Sequence, residues 1–287
     1  MTPQTPADDS RAWPAPAKLN LFLHITSRRA DGYHVLQTLF QFIDFGDQLR
    51  FHLNDEGRVY RLGELAGVAE DDDLCVRAAR LLQAETGCRQ GAGIALAKRL
   101  PLGGGLGGGS SDAATTLVAL NHLWGLGLDE DALATLGLRL GADVPVFVRG
   151  HAAWAEGVGE VLQPVMLDEP WFLVLVPGVS VATAALFAHP ELTRDQPPVK
   201  MRDFLAGTCG NVFEPLVRQA CPEVEAALQW LSERAAARMT GTGACVFAAF
   251  NTEDEARRVA AAAEGRWQTI VARGRNRSPL LAASEQV

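Results

Sequence analysis

The sequence predicts a mixed protein, α+β or α/β, folded as two domains, and three observations carry that expectation. Strand-like alternation and helix-like spacing follow one another from end to end without an internal repeat. A glycine-rich stretch stands between a strand pattern and a helix pattern. The chain has 287 residues and is 48% hydrophobic, which is enough material for two separate cores.

Taken in order, Leu19, Leu21, Leu23 and Ile25 alternate with Lys18, Asn20, Phe22 and His24, a period of two that puts Lys18 and Asn20 on the face opposite the leucines. Asp31-Gly32 then makes a turn. Thr38 to Ile43 and Gln48 to Leu53 read as two further strands, Val76 to Glu85 as a helix, and Ile94 to Leu100 as the strand that enters the glycine stretch. The helix after it shows Ala113, Leu117, Leu120 and Trp124 at helical spacing, with Ser110, Ser111 and Asp112 as N-cap residue types. Asp129 and Glu130 open another helix. After Gly159 the texture changes. Pro164, Pro170 and Pro177 punctuate one short strand, Trp171 to Val176, a loop containing Pro197-Pro198 follows, and helices are expected near Pro222 to Ala237 and Asp254 to Glu264. A domain boundary is placed near residue 165, giving domains 1–165 and 166–287.

The glycine stretch runs Pro101-Leu102-Gly103-Gly104-Gly105-Leu106-Gly107-Gly108-Gly109-Ser110-Ser111. Without Cβ atoms a loop reaches positive φ and brings N–H groups close to an anion, and the following helix adds unsatisfied N–H donors and the positive end of its dipole. It is therefore read as a phosphate cradle. It is not a Walker loop, because no lysine follows the glycines. Nor does an acid ending a second strand support a dinucleotide fingerprint. A flexible linker would not be flanked by a strand and a helix.

The net charge of −8 and a pI near 5.3 leave no basic face for nucleic acid. The longest strongly apolar run, Trp171 to Val176, is far short of a membrane span, and the segment from Thr2 to Arg11 is polar, so a cytoplasmic protein with no membrane partner is expected. Cys75, Cys88, Cys209, Cys221 and Cys245 are odd in number and never spaced as Cys-x-x-Cys. They are read as small buried hydrophobes rather than disulfides or zinc ligands.

Four segments hold groups suited to chemistry, each with a plainer reading beside it. Lys18 and Asn20 share a strand face that could simply meet solvent. Tyr33 and His34 follow a turn that could be an ordinary hairpin tip. Asp143, within Gly141-Ala142-Asp143-Val144-Pro145, could be a helix cap, although a carboxylate in an apolar stretch also suits a functional site. Thr240-Gly241-Thr242-Gly243 could be a tight turn into a strand.

The order and wording of these segments resemble one family. The glycine loop is similar to the second signature of the galactokinase, homoserine kinase, mevalonate kinase and phosphomevalonate kinase superfamily. Pro16 to Leu21, Ala30 to His34, Gly141 to Pro145, Gly150 to Ala153, Glu156 to Glu160, Pro177 to Ser180 and Thr240 to Phe247 look like its branch that acts on a cytidine-diphosphate-linked methylerythritol. The resemblance extends from about residue 14 to Pro279. It implies an α+β fold with a ribosomal-protein-like N-terminal domain, a ferredoxin-like C-terminal domain and the active site between them. It further implies ATP-dependent phosphorylation of the substrate's 2-hydroxyl, a step of the non-mevalonate route to isoprenoid precursors.

By the same resemblance Asp143 is the base and Lys18 its cationic partner, able to hold the hydroxyl and balance charge on the transferring phosphoryl group. Residues Pro101 to Ser111 hold the ATP phosphates, with Lys98 a neighbour of the adenine. Tyr33 and Phe187 sandwich the cytosine, His34 bonds its polar edge, and Asn20 and Thr183 line the site. Mg²⁺ is expected with ATP, its ligands unassigned. One departure concerns Asp73-Leu74, where the family often has Asn-Leu near the adenine. The expected partner is a small molecule, and the expected assembly a monomer or weak homodimer. Another kinase of the superfamily, acting on homoserine, mevalonate or a sugar, would share the glycine loop but not the Tyr33-His34 turn. A non-catalytic nucleotide- or RNA-binding module fits the acidic charge less well.

Overall fold

The computed structural model describes residues 8–285, and side chains from Arg11 onward. The start of the polar segment read from Thr2 lies outside the described residues. In the described residues ten strands form one connected sheet system: β1 Asp8–Arg28, β2 His34–Asn54, β3 Val59–Leu62, β4 Gly91–Ala97, β5 Ala153–Glu156, β6 Val161–Pro164, β7 Trp171–Val176, β8 Arg238–Met239, β9 Val246–Phe250 and β10 Gln268–Arg275. Its main path runs β3-β4-β2-β10-β7-β9-β8, with β1 along β2 and with β5 joining β2 to β6. Among the described strands only β3 with β4 is a parallel pair. Among the described residues ten helices cover it: α1 Leu74–Thr86, α2 Gly108–Leu123, α3 Glu130–Leu138, α4 Val144–Arg149, α5 Thr183–Ala188, α6 Met201–Leu205, α7 Glu214–Ala220, α8 Pro222–Ser232, α9 Glu253–Ala262 and α10 Pro279–Ser284. The fold is α+β. Among the described residues no helix is long and apolar enough to cross a membrane.

Three apolar clusters stack through the molecule. One lies between β1, β2 and helices α1 to α4 and includes Trp13, Phe42, Phe51, Leu120 and Phe147. A second gathers Leu173, Phe213, Leu228 and Val246 around the second half. The third, with Leu19, Leu39, Leu106, Phe172 and Phe247, joins strands from both halves of the chain. That cluster covers one face of β1 at Ala17, Leu19 and Leu21, and the glycine loop and Thr240 cover the other. Lys18 and Asn20, which alternation alone allowed to face water, are 2% and 4% exposed.

Several boundaries differ from the sequence reading for identifiable reasons. The two strands expected at Thr38 to Ile43 and Gln48 to Leu53 are one strand, β2, because the chain between them stays extended against β1. A Cβ on Gly46 would stand 2.2 Å from the Ala15 carbonyl oxygen, so glycine permits that approach. β4 ends at Ala97 rather than Leu100, since the N–H groups of Arg99 and Leu100 donate to the Asp47 carboxylate instead of to a neighbouring strand. The helix after the glycines begins at Gly108 with Gly107 as N-cap at φ 75°, so Ser110, Ser111 and Asp112 lie inside its first turns and do not cap it. α8 ends at Ser232, five residues before the expected Ala237, where the chain turns into β8. Cys75, Cys209 and Cys245 are buried as expected, but Cys88 and Cys221 are only half-buried. All five are free thiols.

Candidate active site

The glycine loop links β4 to α2 and is shaped by three left-handed glycines, Gly103, Gly105 and Gly107, at φ 68°, 76° and 75°. Two of them also permit close approaches. A Cβ on Gly105 would lie 2.3 Å from the Thr240 carbonyl oxygen, and one on Gly107 would lie 2.7 Å from the Phe147 ring and 3.0 Å from Lys18 Cε. The loop is thus pressed between the second glycine turn, at residues 240–243, and the lysine. Gly107 has no side chain with which to cap α2, so the first-turn N–H groups face the cavity as donors suited to an anion.

Lys18 enters this cavity from β1. Its ammonium pairs with Asp143 Oδ2 at 3.2 Å, donates to Asn20 Oδ1, and reaches the Gly105 carbonyl oxygen at 3.3 Å. Register is held by the backbone as well, since the Lys18 N–H donates to Leu106 O at 3.0 Å. The Asn20 amide donates to Thr38 Oγ1 at 2.9 Å, while the Asn20 N–H donates to Thr240 Oγ1 at 2.9 Å. Asp143 sits at the N-cap of α4 but makes no capping hydrogen bond, and Pro145 in that first turn has no N–H to offer. The capping reading of Asp143 is therefore overturned. Its carboxylate turns to Lys18 and is 35% exposed, against 3% for the lysine side chain, so a bound hydroxyl can reach the acid while the cation is shielded.

Lys98 lies at the far end of the loop between two acids, 2.5 Å from Asp47 Oδ2 and 2.7 Å from Asp112 Oδ2. Burial opposes its charge, but Asp112 and Asp47 outweigh that and raise the ammonium's pKa. One lysine cannot neutralise two buried carboxylates. Burial pushes Asp112 up to about 7, with Lys98 pulling down and Asp47 adding to the rise. Lys98 lines the cavity beside Gly108, with its charge already engaged. Asp73 caps α1 by accepting from the Cys75 N–H and pairs with Arg61 at 2.9 Å, which accounts for the acid at this position.

Lys18, Asn20, Asp143, Lys98, Thr183, Phe187 and Pro101 to Ser110 line one cavity of about 410 Å³. Ser111 is fully buried and its Oγ has no partner. A second cavity of about 560 Å³ holds Tyr33, His34 and Phe187, and shares Leu36, Ala142, Val158 and Phe187 with the first. Both are of ligand-binding size. Tyr33 is 64% exposed at the Asp31-Gly32 turn, its N–H donating to Asp31 Oδ1 at 3.1 Å. The Phe187 ring lies 5.1 Å from His34 and meets Phe213 edge-on at 4.9 Å. Thr183 Oγ1 is 2.9 Å from Thr242 Oγ1, tying α5 to the second glycine turn.

Sequence reasoning missed three supports. Asn211 donates to the carbonyls of Met239 and Gly241 at 3.0 and 2.8 Å and so holds that turn. Asp47 anchors the entry to the glycine loop. Arg194 donates to His34 Nε2 at 3.2 Å and to the carbonyls of Phe187, His189 and Leu192. None lies in a patterned segment. No acid stands within twelve positions of Lys98 in the sequence, so nothing there pointed to Asp47.

A model of the GHMP kinases N terminal domain matches residues 73–151, and one of the GHMP kinases C terminal matches residues 196–268. A 4-diphosphocytidyl-2-C-methyl-D-erythritol kinase of Nitrosococcus oceani is 57% identical over 96% of this chain and 98% of its own length. One of Pseudomonas aeruginosa is 59% identical over 93% and 95%. A crystal structure of 4-(cytidine 5'-diphospho)-2C-methyl-D-erythritol kinase superposes with a TM-score of 0.80 at 33% identity, covering 92% of this chain and 99% of that one. A mevalonate kinase structure shares the fold at a TM-score of 0.69 and 14% identity.

Proposed function

The chain belongs to the 4-diphosphocytidyl-2-C-methyl-D-erythritol kinase family of the GHMP kinases, and from that premise we propose that it transfers the γ-phosphoryl group of ATP to the 2-hydroxyl of 4-diphosphocytidyl-2-C-methyl-D-erythritol. The observation that carries the reaction is the Lys18–Asp143 pair, 3.2 Å apart in the same cavity as the N-terminus of α2. Phosphoryl transfer asks a protein mainly for positioning and charge stabilisation, with one acceptor for the hydroxyl proton. Asp143 is that acceptor. Lys18, shielded from water and braced by Asn20 and Gly105, is a cation whose position does not have to be organised when charge develops. Backbone N–H groups of residues 103–110 supply the phosphate contacts that a lysine supplies in a Walker loop.

Asn20 and Thr183 border the reacting end, and the cytosine occupies the adjoining cavity among Tyr33, His34 and Phe187. We place the N-terminal ATP-binding domain in residues 1–165 and the C-terminal GHMP kinase domain in 166–287. Mg²⁺ enters with ATP. Its ligands are unassigned, and when bound it would supply charge neutralisation at the phosphates. The test is ATP consumption across 4-diphosphocytidyl-2-C-methyl-D-erythritol, simpler cytidine-diphosphate alcohols, homoserine, mevalonate and galactose. Turnover confined to the first is expected. Turnover on homoserine, mevalonate or galactose alone would overturn the reading.

A further inference from the structure

His34 has a fixed neighbour. Arg194 Nε stands 3.2 Å from His34 Nε2, and the rest of its guanidinium is held by three backbone carbonyls: Nη1 by Leu192 at 3.0 Å, Nη2 by Phe187 at 2.9 Å and His189 at 2.8 Å. A guanidinium has donors and no acceptor, and it stays charged in proteins. The imidazole nitrogen facing it must therefore present a lone pair, which leaves the ring's proton on the other nitrogen.

We propose that Arg194 is a positioning residue that locks His34 as the Nδ1–H tautomer, so that the imidazole meets the base as a fixed donor and favours cytosine over uracil. The inference rests on the functional reading above for the base, while the lock itself rests only on the hydrogen-bond geometry. Cytosine offers lone pairs at N3 and O2, whereas uracil carries a hydrogen on N3. A donor at the N3 position satisfies the first base and opposes the second, and a buried donor set against a donor is left unpaired. A free imidazole could turn over its tautomer and accept from uracil instead. The surroundings also keep the ring neutral: burial lowers its pKa, and the charges of Arg194 and Arg28 lower it further. The three carbonyl contacts matter too. They fix the guanidinium between the end of α5 and the following loop, so its Nε–H cannot swing away when the base arrives.

The experiment combines imidazole ¹⁵N–¹H correlation spectra of the ligand-free enzyme with steady-state kinetics and binding of CMP and UMP. His34 is assigned by the signals lost in His34→Asn. Wild type should carry its proton on Nδ1 and Arg194→Met on Nε2. The KM for the cytidine substrate should rise about tenfold in Arg194→Met, the scale of one hydrogen bond, with kcat and the KM for ATP little changed. The CMP-to-UMP preference should fall by a similar factor. Arg194→Lys keeps the charge but cannot reach His34 and three carbonyls together, and should fall between. Asparagine places an amide near the position of Nδ1, so in a His34→Asn background Arg194→Met should add no further loss. A proton on Nε2 in the active wild type, an unchanged tautomer in Arg194→Met, or a full additional loss in the His34→Asn background would each overturn the lock. An Nδ1–H signal in a protein that phosphorylates none of the panel would instead remove the functional reading and the base contact with it.

Discussion

The two ends of the cleft are built to different standards of rigidity. At the phosphate end Lys18, Asn20 and Lys98 are each held from several directions. Lys18 is fixed by Asp143, Asn20 and the Gly105 carbonyl, Asn20 by Thr38 and Thr240, and Lys98 by two buried acids. At the base end Tyr33 stands largely in solvent on a turn, and His34 and Phe187 lean on each other and on one arginine. The contrast follows from the chemistry. Charge develops at the phosphate end, and a group that had to reorganise there would forfeit its contribution to rate. A flat base tolerates adjustment, because stacking energy varies slowly as rings slide.

This contrast can be broken most sharply at Asp143. Asp143→Asn is nearly isosteric and removes the proton acceptor, so turnover at saturating substrates should fall by roughly 10² to 10⁴ while nucleotide affinity stays close to wild type. Single-turnover assays with titration of a non-hydrolysable ATP analogue would show it. Retention of a tenth of the activity would return Asp143 to a structural role.

Lys98→Met tests whether the phosphate end is braced as tightly as its contacts imply. It leaves Asp47 and Asp112 buried without a counterion, and unfolding free energy should drop by about 3 to 5 kcal/mol in denaturant titration. The same cluster predicts a pH slope. Asp112 in the folded chain binds its proton up to about 7, above the ordinary 3.8, so the folded state holds that proton more tightly than the unfolded one. Its contribution is complete below about pH 4 and is lost as pH rises through about 7. Asp112→Asn should flatten the slope between about pH 4 and 7. An unchanged slope would mean the proton resides elsewhere.

Lys18→Met keeps the apolar stem and deletes the charge, raising the barrier by about 2 kcal/mol or more, on the scale of a lost transition-state donor. A higher KM with unchanged kcat would make Lys18 a ground-state binder. The softer end should respond more gently. Tyr33→Ala should weaken cytidine binding by about 1 to 3 kcal/mol and Tyr33→Phe by little, since stacking needs the ring and not the hydroxyl. Calorimetry with the cytidine substrate and an ATP analogue separates the outcomes. Equal loss in both variants would point to a hydroxyl contact.

Local pattern in the sequence was sufficient for the strand-loop-helix order around the glycines, for the strand Trp171–Val176 and for the turn ahead of Tyr33. Each rests on interactions between near neighbours: alternation, helical spacing, and a backbone conformation only glycine adopts easily. The sequence also named Lys18 and Asp143, through motif resemblance. Their meeting at 3.2 Å was decided by the fold, which brings Lys18 of β1 to the start of α4 from 125 positions away. The same holds for Arg194 and His34, 160 positions apart, and for Asn211 under the second glycine turn. Nothing local to these residues marks them, because the energy of a hydrogen bond or ion pair depends on the partner it meets, and Arg194 meets His34 only where the second apolar cluster packs Leu23, Ile25 and Leu36 against Leu186 and Leu192.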